Sequence, residues 1–154
     1  MEQVSNRSEA GAAVQLLDGN RKKSAHMDWV VNVIAVQQDP MTQLLSGSGA
    51  GDIKLWDVRR TTDGPRKSFH TGSADLSALA AHPRAPIIAA GSCAQELRLF
   101  QVERDIELAT VRYHGGWLRQ RIGPVTCVAF HPKVLLLAAG ATDNLVSMYS
   151  PKPR

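Results

Sequence analysis

The residues of this 154-residue chain best suited to chemistry are its five histidines. His26, His70 and His114 stand 44 residues apart, while His82 and His131 each precede a proline, Pro83 and Pro132. Imidazoles bind zinc or move protons when several of them converge on one point. A spacing that recurs over tens of residues works against convergence, because each copy then belongs to its own structural unit. There a buried imidazole held by hydrogen bonds is framework. Asp52, Asp57 and Asp143 fall at turn positions beside small residues. No nucleophile-elbow, phosphate-loop, H-E-x-x-H or paired zinc-ligand pattern occurs in the chain. The reading is therefore non-enzymatic, with no catalytic residue, no cofactor, no metal site and no small-molecule substrate.

The elements that position these residues repeat as well. In SGSGAGDIKLWD (46–57) a small-residue turn leads into an alternating run that ends on Trp56-Asp57. A period of two predicts a strand with Ile53 and Leu55 on one face and Asp52 and Lys54 on the other. AGSCAQELRLFQ (90–101) and AGATDNLVSMYS (139–150) repeat the pattern, with Gly47, Gly91 and Gly140 in register and an aromatic following each: Trp56, Phe100 and Tyr149. Each glycine is preceded by a proline, and each proline by a further strand-like run, as in VVNVIAVQQDP, LSALAAHP and VTCVAFHP. The glycines lie 44 and 49 residues apart. A period in the forties with a terminal Trp-Asp-like pair predicts an all-β fold of WD-repeat β-propeller blades.

Three blades are expected, at about 26–59, 70–103 and 114–150, within a propeller segment spanning 26–154. Residues 1–25 read as a loose N-terminal segment, with VQLLD (14–18) as the last strand of a preceding blade. Three blades and a remnant do not close a ring, so the chain reads as an incomplete propeller. Asp143 occupies the turn position where WD repeats keep a structural aspartate, while the first two units have Ala50 and Ala94 there. Those two blades are expected to lack the internal hydrogen-bond network. His26, His70 and His114 resemble the histidine that opens a WD-repeat unit and bonds within its blade.

Composition narrows the remaining classes. The net charge is +4 with 5% aromatic residues, and the cations are spread over loops rather than gathered in a stripe. Nucleic acid would need clustered cations with aromatic stacking partners, so none is expected. The longest apolar run, Val134 to Ala141, is far short of the ~18 residues that cross a bilayer, so no membrane insertion is expected. Cys93 and Cys127 form no CxxC pair, and Cys127, in an apolar strand, reads as a small core residue. Without a secretory signal pattern at the start, a cytoplasmic location is expected.

The last unit carries a more specific likeness. QRIGPVTCVAFHP and LLAAGATDNLVSMYS resemble the C-terminal blade of the raptor family, the regulatory-associated subunits of the TOR kinase, in the plant and green-algal type. DLSALAAHPRAPIIAAGSCAQELRLF is similar to the blade before it, and DWVVNV with SGSGAGDIKLWDVR to the one before that. The resemblance implies a scaffold role in TOR complex one, presenting substrates to the kinase in nutrient signalling and growth control. The alternative is a WD-repeat module of another pathway, such as a ubiquitin-ligase adaptor or a chromatin complex.

Loops rather than strand interiors are then expected to meet partners. The third unit carries an insertion, HGGWLRQRIGPV, with Trp117, Arg119 and Arg121. Together with Arg59 and Arg60 after the Trp-Asp pair, these are the expected protein-contact residues, because tryptophan and arginine dominate binding hot spots.

Overall fold

A computed structural model describes residues 25–38, 41–60, 64–72, 75–104, 106–112 and 123–151. Within them the chain forms antiparallel strands: β1 (Val30–Gln38), β2 (Met41–Ser48), β3 (Asp52–Asp57), β4 (Lys67–His70), β5 (Leu76–Ala81), β6 (Ile87–Ser92), β7 (Glu96–Gln101), β8 (Ile106–Arg112), β9 (Val125–Phe130), β10 (Leu137–Ala141) and β11 (Val146–Tyr149). They build three meanders in chain order: β1-β2-β3-β4, β5-β6-β7-β8 and β9-β10-β11. The expected fold class is thereby met: an all-β incomplete propeller. The outer strands β4 and β8 fall largely in the segments between the expected repeats, so the first two sheets run further than their Trp-Asp-like ends. VQLLD lies outside the described residues.

The short hairpins explain the meander. The β2–β3 turn closes with Gly51 N donating to Ser48 O at 3.0 Å, and the β6–β7 turn with Gln95 N donating to Ser92 O at 3.3 Å. Gly51 has φ of 84°, and its counterparts Gln95 and Asn144 have φ of 63° and 65°. Only glycine adopts this left-handed geometry without a Cβ penalty, and asparagine tolerates it better than most.

The sheets stand side by side about their first strands. Asn32 Nδ2 donates across to Leu79 O at 3.1 Å, and Ser77 Oγ to Val125 O at 2.5 Å. Apolar residues fill each gap. Leu45, Ile53, Leu55 and Phe69 of the first sheet meet Leu76, Leu79, Ile88 and Phe100 of the second. Ala78, Ala89 and Leu97 of the second meet Val125, Leu137 and Ala139 of the third. The repeat glycines sit where sheets approach most closely. A Cβ at Gly47 would stand 2.6 Å from Leu76 Cδ2, and one at Gly91 2.5 Å from Val125 Cγ1. Val125 is β-branched and fully buried, so it has little room to move. Gly91→Ala should therefore cost about 1–3 kcal/mol as an overpacking defect, read as a lower urea midpoint at unchanged slope. No loss would mean that the second and third sheets do not pack as described.

Two faces result. The upper face carries the β2–β3, β4–β5, β6–β7 and β10–β11 turns; the lower face carries the β3–β4, β5–β6, β7–β8 and β9–β10 turns. At the two ends of the arc apolar residues stay uncovered: Trp29 and Val33 beside the first sheet, Val146 and Met148 on the third. Cys127, expected in the core, is exposed for the same reason: it lies on the third sheet, where no further sheet covers it among the described residues.

Candidate functional site

Each sheet holds its turns with a different polar centre. In the first, His26 is buried beside the start of β3. Its Nδ1 lies 2.6 Å from Asp52 Oδ2, and its Nε2 2.6 Å from Ser46 Oγ. Trp56 Nε1 donates to the same Ser46 Oγ at 2.7 Å. With the proton on Nδ1, the donors run in one direction from indole to hydroxyl to imidazole to carboxylate, and every group is satisfied. Ser48 Oγ also donates to Asp52. Lys54 Nζ lies 3.5 Å from Asp52 and donates to Ala25 O at 2.5 Å.

This corrects two expectations. Asp52 is a buried strand residue rather than a turn residue, and the first sheet does have an internal network. The carboxylate comes from the first position of β3, which reaches His26 as the turn residue Ala50 cannot. The expected polar face of β3 is covered too, with Asp52 and Trp56 buried.

The second sheet substitutes charge. Glu96 stands at the start of β7 as Asp52 does at the start of β3, but Ala90 replaces Ser46 and Phe100 replaces Trp56 in register. Arg98 donates to Glu96 at 2.8 Å and Arg112 at 2.9 Å, and Arg98 also reaches Glu107 at 3.3 Å. His70, expected to bond within its blade, is exposed at the end of β4 and makes no side-chain hydrogen bond among the described residues. The arginines already occupy the carboxylate it would need. Ser92 Oγ is buried without a partner among the described residues, because Glu96 turns toward the arginines. The third sheet uses Asp143, which accepts from Gly123 N at 2.6 Å and from Leu145 N at 3.2 Å. His114 lies outside the described residues.

The prolyl histidines form a second structural class. His82 Nδ1 accepts from Arg84 N at 3.1 Å and Ala85 N at 2.9 Å, and His131 Nδ1 accepts from Lys133 N and Val134 N at 3.2 Å each. Both imidazoles cap turns on the lower face.

Two carboxylates are held below their ordinary range. For Asp52, burial pushes upward, but hydrogen bonds from Ser48 and His26 and the charges of His26 and Lys54 outweigh it. For Glu96, the Arg98 hydrogen bond leads; burial opposes it, and the charges of Arg98 and Arg112 add to it. The unfolded chain then binds these protons more tightly than the folded one, so stability rises with pH across the window. The stabilisation is present above the ordinary values of 3.8 and 4.5 and is lost as the pH falls through the lower folded values. An Asp52→Asn, Glu96→Gln double variant should show a flatter fall of stability between neutral and acid pH, followed by urea titration at each pH. An unchanged profile would contradict these assignments.

Most polar atoms of these centres are spent on one another. Among the described residues no group of three or more His, Cys, Asp or Glu side chains could hold a metal ion, and no helix is long and apolar enough to cross a membrane. Arg59 and Arg60 are exposed on the β3–β4 turn, where Asp57 Oδ1 accepts from Arg59 N at 2.9 Å and Asp57 O from Arg60 N at 3.0 Å. Trp117, Arg119 and Arg121 lie outside the described residues. Sequence reasoning missed Ser46, Ser48, Glu96, Arg98 and Arg112. An acid-x-base pattern opening the strand, Asp52-Ile53-Lys54 and Glu96-Leu97-Arg98, was the available signal.

Comparison with known proteins agrees with this geometry. Residues 116–150 match the family model "WD domain, G-beta repeat". The chain is 38% identical over 81% of its length to "Protein raptor homolog" of Dictyostelium discoideum. It is 44% identical over 73% of its length to "Regulatory-associated protein of TOR 1" of Arabidopsis thaliana, and 35% identical over 81% to "Target of rapamycin complex 1 subunit mip1" of Schizosaccharomyces pombe. It spans 8%, 8% and 9% of those proteins. The crystal structure of Chaetomium thermophilum Raptor superimposes with a TM-score of 0.67 at 29% identity, over 82% of this chain and 12% of that one. The chain is thus a raptor homologue, matching the C-terminal WD-repeat region of those proteins.

Proposed function

We propose that this chain is part of a non-catalytic scaffold subunit of TOR complex one and supports protein binding and substrate presentation in nutrient-responsive TOR signalling and growth control. The observation that carries this reading is the likeness to TOR-complex proteins over 73–82% of the chain. The geometry supports a binding rather than a chemical role. Each sheet is pinned by its own buried centre, and the cationic turns are left for contact. Its place of action is the cytoplasm, and its partners are the TOR kinase complex and other proteins. Trp117, Arg119, Arg121, Arg59 and Arg60 are the proposed contact residues.

The test is purification of the tagged endogenous protein carrying this sequence. TOR kinase should co-purify, and alanine at Trp117, Arg119 and Arg121 should weaken association with at least one partner. Recovery of ubiquitin-ligase or chromatin subunits without TOR kinase would overturn the reading.

A further inference from the structure

The unpaired exposed cations of the turns gather on one face of the arc, while the exposed Arg112 at the upper end of β8 is paired with Glu96. Exposed cations gather on the lower turns: Arg59, Arg60 and Arg66 on the first sheet, Arg84 and Arg104 on the second, and Lys133 on the third. None of them forms an ion pair with another described residue. The upper turns carry Asp28, Asp75 and Asp143 and no cation among the described residues.

The lower turns are also contiguous. Lys67 Nζ donates to Val102 O at 2.6 Å and Glu103 O at 2.7 Å, which ties the foot of the first sheet to the β7–β8 turn. His82 Nε2 lies 3.4 Å from Val134 O, which brings the β5–β6 turn to the β9–β10 turn. Between the first and second sheets this face opens into two cavities. The inner one, about 290 Å³, is lined by Ala35, Val36, Ala81, His82 and Pro83. The outer one, about 190 Å³, is bordered by Gln43, Leu55, Arg66, Lys67, Val102 and Glu103. Both flanking sheets have their full four strands, so the cleft does not arise from a missing strand.

We propose that this cleft is a docking surface for an extended acidic protein segment whose aliphatic side chain enters the inner cavity at Val36 and His82. Charge complementarity selects the occupant: among the described residues unpaired cations line both banks, and Asp57 and the exposed Glu103 are the acids that oppose them. The concave, partly apolar floor suits a side chain held between the sheets. Nucleic acid is the poorer fit, because Trp29, the exposed large aromatic among the described residues, lies at the upper face rather than beside these cations. The proposal goes beyond the TOR-complex reading and does not depend on it. Its failure would leave co-purification with TOR kinase untouched.

The test is fluorescence anisotropy on the full chain with a short labelled glutamate-rich peptide containing one leucine. Controls replace the leucine with alanine, or the glutamates with lysines. Phosphatidylserine vesicles and an oligouridine serve as rival anions. The leucine peptide should bind, weaken as salt rises, and bind more tightly than the alanine peptide; the lysine peptide should not bind. Arg66→Glu, Arg84→Glu and Arg104→Glu together should weaken binding by about tenfold or more, with an unchanged circular dichroism spectrum. No binding, equal binding of the leucine and alanine peptides, or tighter binding to vesicles or oligouridine would overturn the proposal. The peptide series on the unaltered chain decides the matter even if the triple variant fails to fold.

Discussion

Truncating Trp56 to alanine lowers the stability of the chain by about 3–5 kcal/mol, the range for removing a fully buried large aromatic. Trp56 is 1% exposed and packs edge-on to His26, with ring centroids 6.5 Å apart. Its loss removes apolar area, opens a cavity and takes a donor from Ser46 in one step. The measurement is a urea titration followed by far-ultraviolet circular dichroism, which does not rely on the indole itself. Trp56→Phe separates the contributions: it retains most of the packing and gives up the 2.7 Å bond to Ser46, at a cost of about 1 kcal/mol. Equal effects of the two substitutions would mean that the indole N–H, not the ring, carries the stabilisation. A loss below about 1 kcal/mol for alanine would mean that Trp56 is not buried as described.

Asp52→Ala should cost about 3 kcal/mol, comparable to breaking a buried pair by removing one partner. The side chain of His26 is 1% exposed and that of Asp52 10% exposed, so the imidazole N–H left behind gains little from water. Ser48 and Lys54 lose the same acceptor. The second sheet supplies an internal control. Glu96→Ala strips Arg98 and Arg112 of their partner, but the side chain of Arg112 is 58% exposed and can rehydrate. The loss there should be smaller, because solvent screens exposed pairs. A double-mutant cycle between His26→Ala and Asp52→Ala should give a coupling of about 1–3 kcal/mol. Additive losses would show that the two residues stabilise the sheet independently.

The repeat itself was legible because its marks are backbone requirements. Gly47 and Gly91 recur where neighbouring sheets leave no room for a Cβ, and Gly51, Gln95 and Asn144 mark the same left-handed turn position. Trp56 and Phe100 recur because an aromatic fills the same buried place. The polar centres were not legible in the same way. A carboxylate serves the first sheet from the head of β3 and the third from the turn before β11, so aligning turn residues missed Asp52. Sheet two exchanges a His–Ser–Trp chain for Glu96 with two arginines, and no residue-by-residue repeat announces such an exchange. Cys127 was misplaced because periodicity shows which face a residue shares, not whether another sheet covers that face.

The central claim is that these three sheets do the work of the corresponding sheets in a TOR-complex scaffold. A chimera tests it most directly: the matching WD-repeat segment of the Arabidopsis relative is replaced by this chain, and the purified protein is assayed for bound TOR kinase. The account predicts a stable chimera that retains the kinase, and lower expression without altered specificity when Trp56→Ala is added. A chimera that folds with native-like cooperativity and binds no kinase would contradict the claim.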